Sequence, residues 1–245
     1  ISACLVGSEM CIRDRQHTHM LVTIDNVLTA EELASIHKML KQADWATGQS
    51  AGTQARLAKN NLQIPEGSEV LRDLRVLVMR ALNKSSRLIS AALPYKILPP
   101  NFNRYAGATN HYGLHTDSTV RYLPDGSALR TDISATLFLS SPEEYEGGEL
   151  VVEDTYGMHT VKLAAGSLVV YPSGSMHQVN PVTQGERLAC YMFMQSMVKD
   201  LECRRLLFQM DESLIKLRAQ YGESHPELIR LTGLYNNLLR KWTEC

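Results

Sequence analysis

The sequence predicts a mainly β protein with flanking helices: helices first, then an antiparallel β-sandwich core, then a short helical C-terminal unit. Three observations lead there. Between residues 95 and 197, short β-rich runs arrive at regular intervals, separated by Gly, Pro, Asp and Asn, which suits a sandwich or barrel. On both sides of that region the apolar residues follow a helical period. The chain has 245 residues, 44% of them hydrophobic. That is enough for a substantial core, at a length compatible with one domain plus an appendage.

The opening stretch, ISACLVGSEMCIRDR, has a short apolar run but no basic start, long apolar core or small-residue cleavage site, so it does not read as a signal peptide. It shows no strand or helix period and resembles the read-through of a cloning adapter. Residues 1–19 are therefore expected to be a non-native leader, with Met20 as the natural start.

Residues 20–94 are expected to supply helices and strands that support the core. Thr29 with Glu32 makes a capping-box pattern. Leu33, Ile36, Met39, Leu40 and Ala43 follow at helical spacing. Residues 48–65, GQSAGTQARLAKNNLQIP, are polar and turn-rich, with a strand expected around Gln54–Lys59. Glu69–Leu82 predicts a second amphipathic helix, with Val70, Leu74, Leu77, Val78 and Ala81 on one side.

The core, residues 95–197, reads as strands Tyr95–Leu98, Asn101–Ala106, Ser134–Leu139, Glu149–Glu153, His159–Leu163, Ser167–Tyr171, His177–Val182 and Leu188–Gln195. The glycines of YEGGELVV and AAGSLVVYPSG fall where turns or bulges are needed. In the last unit, residues 198–245, Leu201, Leu206, Leu207, Met210, Leu214 and Leu217 form an apolar helix face that stops at Gly222. Pro226 opens a further helix. These helices are expected to pack on the sandwich or to form a homodimer contact.

Formal net charge is −1, with acids and bases interspersed. No basic stripe suggests a nucleic-acid surface, and no polybasic segment suggests a membrane surface. Apolar runs such as Leu168–Tyr171 are far too short to span a bilayer. Beyond residue 19 the cysteines are Cys190, Cys203 and Cys245, with no Cys-x-x-Cys, which fits a reduced, cytoplasmic protein.

The chemistry starts at GLHTDSTVRYL, residues 113–123. On a strand, residues i and i+2 share a face, so His115 and Asp117 aim an imidazole and a carboxylate at one point. A third ligand must come from elsewhere, and His177 is the strongest candidate. It follows the turn YPSGSM and opens the next strand, a place that can lie beside His115 in a sandwich. Two histidines and one carboxylate cover one face of an octahedral metal and leave three positions open, a geometry suited to non-haem Fe(II) and oxygen. A closed zinc site leaves no such vacancy.

Arg187 lies ten residues past His177, after the turn TQGE. An arginine at the head of the apolar run Leu188–Phe193 is costly to bury unless paired. Its planar fork suits a bidentate grip on a carboxylate. A dicarboxylate that chelates iron at one end and meets Arg187 at the other fits both, and 2-oxoglutarate is the natural choice. Because ligand histidines must be neutral, iron binding is expected to weaken below about pH 6.5.

Four stretches, FNRYAGATNHYGLHTD, TDISATLFLSSPEEYEGGELVVEDTYG, LAAGSLVVYPSGSMHQVNPVTQGERLACYMFMQSMVKD and LTGLYNNLLRKW, resemble the bacterial PKHD-type (prolyl/lysyl hydroxylase domain) iron-dependent hydroxylases. The resemblance runs from Met20 to the C-terminus. It implies a double-stranded β-helix (jelly-roll) core, iron on His115, Asp117 and His177, and 2-oxoglutarate on Arg187. It also implies L-ascorbate as the agent that keeps iron reduced, and a place in intracellular iron homeostasis. Tyr105 resembles the tyrosine that prolyl hydroxylases direct toward 2-oxoglutarate; a core tyrosine is the equal alternative. Ser118 departs from the asparagine more common in relatives.

The expected reaction is hydroxylation of a C–H bond with release of succinate and CO2. The substrate is a peptidyl side chain or a small iron-related metabolite. Residues 118–132 read as a polar loop with a Pro124-Asp125-Gly126 turn, next to the metal, where loops are often functional. Ser118, Arg121, Arg130 and Tyr112 are its substrate-side candidates, Arg121 and Arg130 for an anionic group. His111 is read as an exposed loop histidine rather than a fourth ligand, and His159 as surface alternation. Two rivals remain: a cupin-like metal-binding isomerase or oxygenase, and an iron-responsive binding protein with an inactive site.

Overall fold

A computed structural model describes residues 20–48 and 58–244. The expected leader, residues 1–19, and most of the expected strand around Gln54–Lys59 lie outside the described residues. The N-terminal part runs β1 (Val22–Ile24), α1 (Ala30–Leu40), β2 (Ala46–Thr47), β3 (Lys59–Asn60), β4 (Leu62–Gln63), α2 (Glu69–Lys84) and α3 (Ser86–Ala92). The core follows as β5 (Pro94–Ile97), β6 (Asn101–Tyr105), β7 (His111–His115), β8 (Val120–Tyr122), β9 (Ala128–Arg130), β10 (Ile133–Phe138) and β11 (Tyr145–Gly147). It continues with β12 (Leu150–Asp154), β13 (Gly157–Val161), β14 (Leu168–Pro172), β15 (His177–Val179), β16 (Val182–Gly185) and β17 (Arg187–Ser196). Helices α4 (Leu201–Tyr221) and α5 (Pro226–Trp242) close the chain.

Two sheets face each other. The larger has the order β1-β14-β10-β17-β6-β4-β2, with β5 also paired to β17; the smaller has the order β13-β12-β15-β7-β3. Both are antiparallel throughout. This is the jelly-roll layout expected, with helices packed on the outer face of the larger sheet.

The larger sheet is buried on both faces, and side-chain parity separates them. Leu168 and Val170 on β14, Ile133, Ala135 and Leu137 on β10, and Cys190, Met192 and Met194 on β17 pack against Leu71, Leu74 and Val78 of α2 and Ile36 and Leu40 of α1. The opposite parity faces the smaller sheet, where Val169, Tyr171 and Phe138 meet Leu150, Val152 and Val179. Helix α1 is started by the predicted capping box: Thr29 Oγ1 accepts from the Glu32 amide at 3.2 Å, and Glu32 accepts from the Thr29 amide at 3.0 Å. Such a cap stabilises a helix by about 1 kcal/mol.

The C-terminal helices dock on α3 and the end of β17. Leu207 joins Leu93 and Val198, with Tyr235, Leu239 and Trp242 packed around them. Arg204, 2% exposed, donates from Nη1 to the Val198 and Lys199 carbonyls at 2.6 and 2.9 Å, while its Nε is left without a partner. Leu201 and Leu206, expected on the apolar face, are exposed; the face that packs is rotated toward Phe208.

Two segments read as loops are strands. His111–His115 forms β7 because it finds partners on both sides, β15 and β3. Its glycine suits that place, since a Cβ on Gly113 would lie 3.2 Å from Ala58 Cβ. Residues 118–132 form a hairpin, β8 on β9, closed by the Pro124-Asp125-Gly126 turn with Asp125 Oδ1 accepting from the Ser127 amide at 2.9 Å.

Candidate metal and co-substrate site

The site begins with a register. His115 ends β7 and His177 opens β15, and the two are direct partners across the antiparallel pair. Their rings lie 4.3 Å apart at 52°. Asp117 sits two residues beyond the end of β7, outside the strand, and its amide donates to the Ser173 carbonyl at 3.4 Å. One ligand atom from each of His115, Asp117 and His177 lies within 4.8 Å of the others. The three side chains thus converge, with Asp117 brought in from beyond the strand rather than by alternation along it.

Their neighbours set protons and orientation. His115 Nδ1 is 2.7 Å from the Gly113 carbonyl, and His177 Nδ1 is 2.9 Å from the Ser175 carbonyl. A carbonyl can only accept, so each Nδ1 carries a proton and each Nε2 is the nitrogen left to face a metal. Ser134 Oγ donates to Asp117 Oδ2 at 2.5 Å and is 2.7 Å from Ser173 Oγ. Tyr112 stacks on His115 with ring centroids 3.6 Å apart, and Tyr171 meets His177 edge-on at 5.1 Å.

Burial, then the nearby His177, pushes the His115 pKa down to about 4. A buried imidazole resists charging because the apolar surroundings penalise the cation.

The cavity over the triad is lined on one side by inward-facing residues of the larger sheet: Asn103, Tyr105, Ser134, Thr136, Arg187 and Tyr191. Its volume of about 70 Å³ is several times what one ordered water needs. Arg187 is 1% exposed and lies 5.2 Å from the ring centres of both Tyr105 and Phe138. Its Nε has no hydrogen-bond partner. Among the described residues no carboxylate forms an ion pair with it. A buried cation without an anion is costly, and an arriving anion would offset that cost. Tyr105 is 1% exposed, and its hydroxyl accepts from Asn103 Nδ2 at 3.2 Å. Burial pushes its pKa up to about 12, keeping the hydroxyl a proton donor.

The donor set fits a divalent metal with open positions: two imidazoles and one carboxylate on one side, a cavity on the other. Arg187, with no carboxylate partner among the described residues, could take the distal carboxylate of a metal-chelating dicarboxylate.

The substrate-side candidates divide. Tyr112 and Arg121 line the cavity. Arg130 does not; Asp132 holds its guanidinium at 2.7 and 3.0 Å. Ser118 is not among the lining residues, and its carbonyl accepts from Thr131 Oγ1 at 2.6 Å. Sequence reasoning passed over Lys59, Asn103, Ser134 and Thr136, all of which line the cavity. His111 is half-buried beside Asn110 Oδ1 at 3.0 Å, and His159 pairs with Asp154 at 2.8 Å.

Comparison with known proteins agrees with this chemistry. The 2OG-Fe(II) oxygenase superfamily matches residues 100–195, and the PKHD-type hydroxylase C-terminal domain matches residues 202–244. A PKHD-type hydroxylase of Nitrosomonas europaea is 57% identical over 92% of this chain and all of its own. The chain belongs to the PKHD-type hydroxylases. A PKHD-type hydroxylase of Azoarcus is 56% identical over the same shares. Among solved structures, a prolyl hydroxylase from Trichoplax adhaerens, in complex with a hypoxia inducible factor oxygen degradation domain peptide, aligns with a TM-score of 0.53 at 15% identity. That alignment covers 78% of this chain and 87% of the other, and it shows a shared fold. This PKHD-type hydroxylase is therefore a 2-oxoglutarate- and Fe(II)-dependent dioxygenase. Among its described residues no helix is long and apolar enough to cross a membrane.

Proposed function

We propose that His115, Asp117 and His177 hold the iron of this hydroxylase, that Arg187 and Tyr105 hold 2-oxoglutarate, and that the substrate is a peptidyl side chain or a small iron-related metabolite. The observation that carries this reading is Arg187. It is fully buried, lacks a carboxylate among the described residues, and shares one cavity with three convergent ligands.

When bound, iron and 2-oxoglutarate together supply the oxidising power for C–H hydroxylation, with succinate and CO2 released. The chain's own residues set the conditions. The Gly113 and Ser175 carbonyls keep both Nδ1 protons in place, so both Nε2 atoms face the metal position. The Ser134 hydroxyl occupies one lone pair of Asp117 and restrains its carboxylate rotation. Arg187 offers its guanidinium to a carboxylate, and the Tyr105 hydroxyl, protonated at any ordinary pH, donates beside it. Leu150, Val179 and Tyr171 wall the cavity with apolar surface, which limits water and strengthens each of these interactions.

Ascorbate as the reductant that keeps the iron ferrous, a cytoplasmic location and a part in iron homeostasis belong to the same proposal. The free cysteines Cys190 and Cys203 support a reducing compartment. The test is anaerobic. Adding 2-oxoglutarate to the Fe(II) protein should produce a weak visible absorption band, and admitting oxygen should yield succinate. Asp117→Ala should abolish both. A variant that still makes succinate at the wild-type rate would overturn the ligand assignment.

A further inference from the structure

Asn61 is the single residue between β3 and β4, where the chain crosses from one sheet to the other. Lys59 and Asn60 pair with β7 of the smaller sheet, and Leu62 and Gln63 pair with β6 of the larger. Asn61 is 1% exposed and lines the cavity. Neither its Oδ1 nor its Nδ2 has a hydrogen-bond partner among the described residues. A buried carboxamide with nothing to bond is destabilising, and native folds rarely keep one without a use. Its backbone carbonyl accepts from the Gly48 amide at 2.9 Å, and a Cβ on Gly48 would overlap Asn61 Oδ1. Gly48 thus lies against the Oδ1 side of the amide.

The register puts Asn61 in a row with two residues already assigned to the co-substrate. Arg187 pairs with Tyr105 across β17 and β6. Leu62 pairs with Arg104 and Gln63 with Asn103 across β4 and β6, so one step back Asn61 comes level with Tyr105. Such neighbours on adjacent strands are about 5 Å apart. The side chains agree with the backbone. The Arg187 guanidinium lies 5.2 Å from the Tyr105 ring centre. Burial pushes the Tyr105 pKa up to about 12, and Arg187 and then the Asn61 amide pull it part of the way back. An amide favours a phenolate only by presenting its N–H, so Nδ2 is the side of Asn61 turned toward Tyr105. The Tyr105 hydroxyl accepts from Asn103 Nδ2 at 3.2 Å, which leaves its own proton to donate. A guanidinium, a phenol proton and an amide N–H thus border one part of the cavity. A carboxylate, with two oxygens and about four lone-pair sites, can accept from all three.

We propose that Asn61 is a specificity-determining residue for the co-substrate: its Nδ2 donates to the distal carboxylate of 2-oxoglutarate, beside Arg187 and Tyr105. The proposal rests on the reading of Arg187 as the anchor of that carboxylate. A guanidinium attracts any anion, whereas a neutral amide favours an acceptor at one place. A 2-oxo acid whose tail ends in carbon would exclude water from the cavity and leave the amide unsatisfied. A site with buried polar groups rejects an analogue that lacks their partner for this reason.

The test compares two 2-oxo acids on the anaerobic Fe(II) enzyme, each titrated through the weak visible band that chelation produces. 2-Oxopentanoate has a methyl group where 2-oxoglutarate has its distal carboxylate. Removing one hydrogen bond to a charged group costs roughly 10- to 100-fold in affinity. Asn61→Ala should lose that much for 2-oxoglutarate and bind 2-oxopentanoate as well as the wild type or better. The ratio of the two dissociation constants then narrows by at least the same factor. Asn61→Asp keeps the shape and replaces the N–H with an acceptor. It should narrow the ratio at least as far, and it carries the comparison if Asn61→Ala does not fold. An unchanged ratio would overturn the proposal. So would an equal loss for both acids, which makes Asn61 a residue of the β3–β4 crossing alone. Arg187→Met separates the two readings. If it leaves the wild-type ratio intact, the anchor reading fails, and Asn61 is still judged by its own variants. If the wild type gives no band with either acid, or binds both alike, the co-substrate reading fails and the role of Asn61 falls with it.

Discussion

Replacing Arg187 with methionine should have two effects of opposite character. Arg187 is 1% exposed, its Nε is unpartnered, and no carboxylate among the described residues balances its charge. In the ligand-free protein it is therefore a burden. A methionine keeps the unbranched stem against Tyr105 and Phe138 and removes the buried charge. Replacing a poorly compensated buried ion with a similar apolar volume is commonly neutral or stabilising by about 1–4 kcal/mol. The ligand-free variant should melt at or above the wild-type temperature. Co-substrate binding should move the other way. Losing one partner of a buried charge pair costs about 2–5 kcal/mol, which at about 1.4 kcal/mol per decade is a loss of roughly 30- to several-thousand-fold in 2-oxoglutarate affinity. Two measurements decide it: thermal unfolding of the metal-free protein, and anaerobic titration of the visible band with 2-oxoglutarate. Iron binding, followed by competition with a chelator, should change little. A variant that loses several degrees of melting temperature yet binds 2-oxoglutarate normally would refute the reasoning and make Arg187 a folding residue.

Three further predictions follow from neighbouring geometry. Ser134→Ala removes the donor at 2.5 Å from Asp117 Oδ2 without touching a ligand; outer-shell losses of this kind cost roughly 10- to 100-fold in metal affinity, and an unchanged iron dissociation constant would show that Asp117 is oriented by backbone alone. His115 has its pKa lowered to about 4 by burial first and by His177 second, so between about pH 6.5 and 4 the unfolded chain takes up a proton that the folded chain refuses. Stability of the metal-free protein should accordingly fall as pH drops through that window, and His115→Gln should flatten the dependence of the urea midpoint on pH. Gly185 holds φ at +75°, and a Cβ there would overlap the Glu144 carbonyl oxygen; Gly185→Ala should cost about 1–3 kcal/mol in denaturant unfolding and, two residues from Arg187, weaken 2-oxoglutarate binding as well.

The site was readable from sequence where its chemistry is local and unreadable where it depends on register. His115 and Asp117 announce themselves by spacing, and Arg187 by standing at the head of an apolar run. The pairing of His177 with His115 needed a specific strand neighbour, and the turn YPSGSM was enough to suggest it. Two features were hidden because they are made by partners far along the chain. β7 reads as a loop, since HYGLH carries a glycine and no alternation; β15 and β3, paired on either side, make it a strand. Residues 118–132 are polar enough to suggest a solvated loop, yet they fold into the β8–β9 hairpin. That hairpin carries Arg121 to the cavity and ties Arg130 to Asp132.

The residues overlooked on the larger sheet share one property that the sequence did contain. A sheet buried on both faces shows no polar-out alternation, so a polar side chain in such a strand has no solvent to face. In ISATLF, on β10, the polar residues Ser134 and Thr136 fall at the same parity. The same holds for Asn103 and Tyr105 in NFNRY on β6, and for Arg187 and Tyr191 in RLACYMF on β17. The register locks these sets together, since Arg187 faces Tyr105 across one pair and Thr136 faces Tyr191 across the next. The apolar positions of opposite parity all pack on the helices. Period-two polarity inside a strand that is otherwise too apolar for an edge therefore marks the wall of an internal site. Desolvating that many polar groups is tolerable only because they bind one another, a metal ligand or an arriving anion. Arg187 still lacks a carboxylate partner among the described residues, and it is the wall residue whose charge an arriving anion would balance.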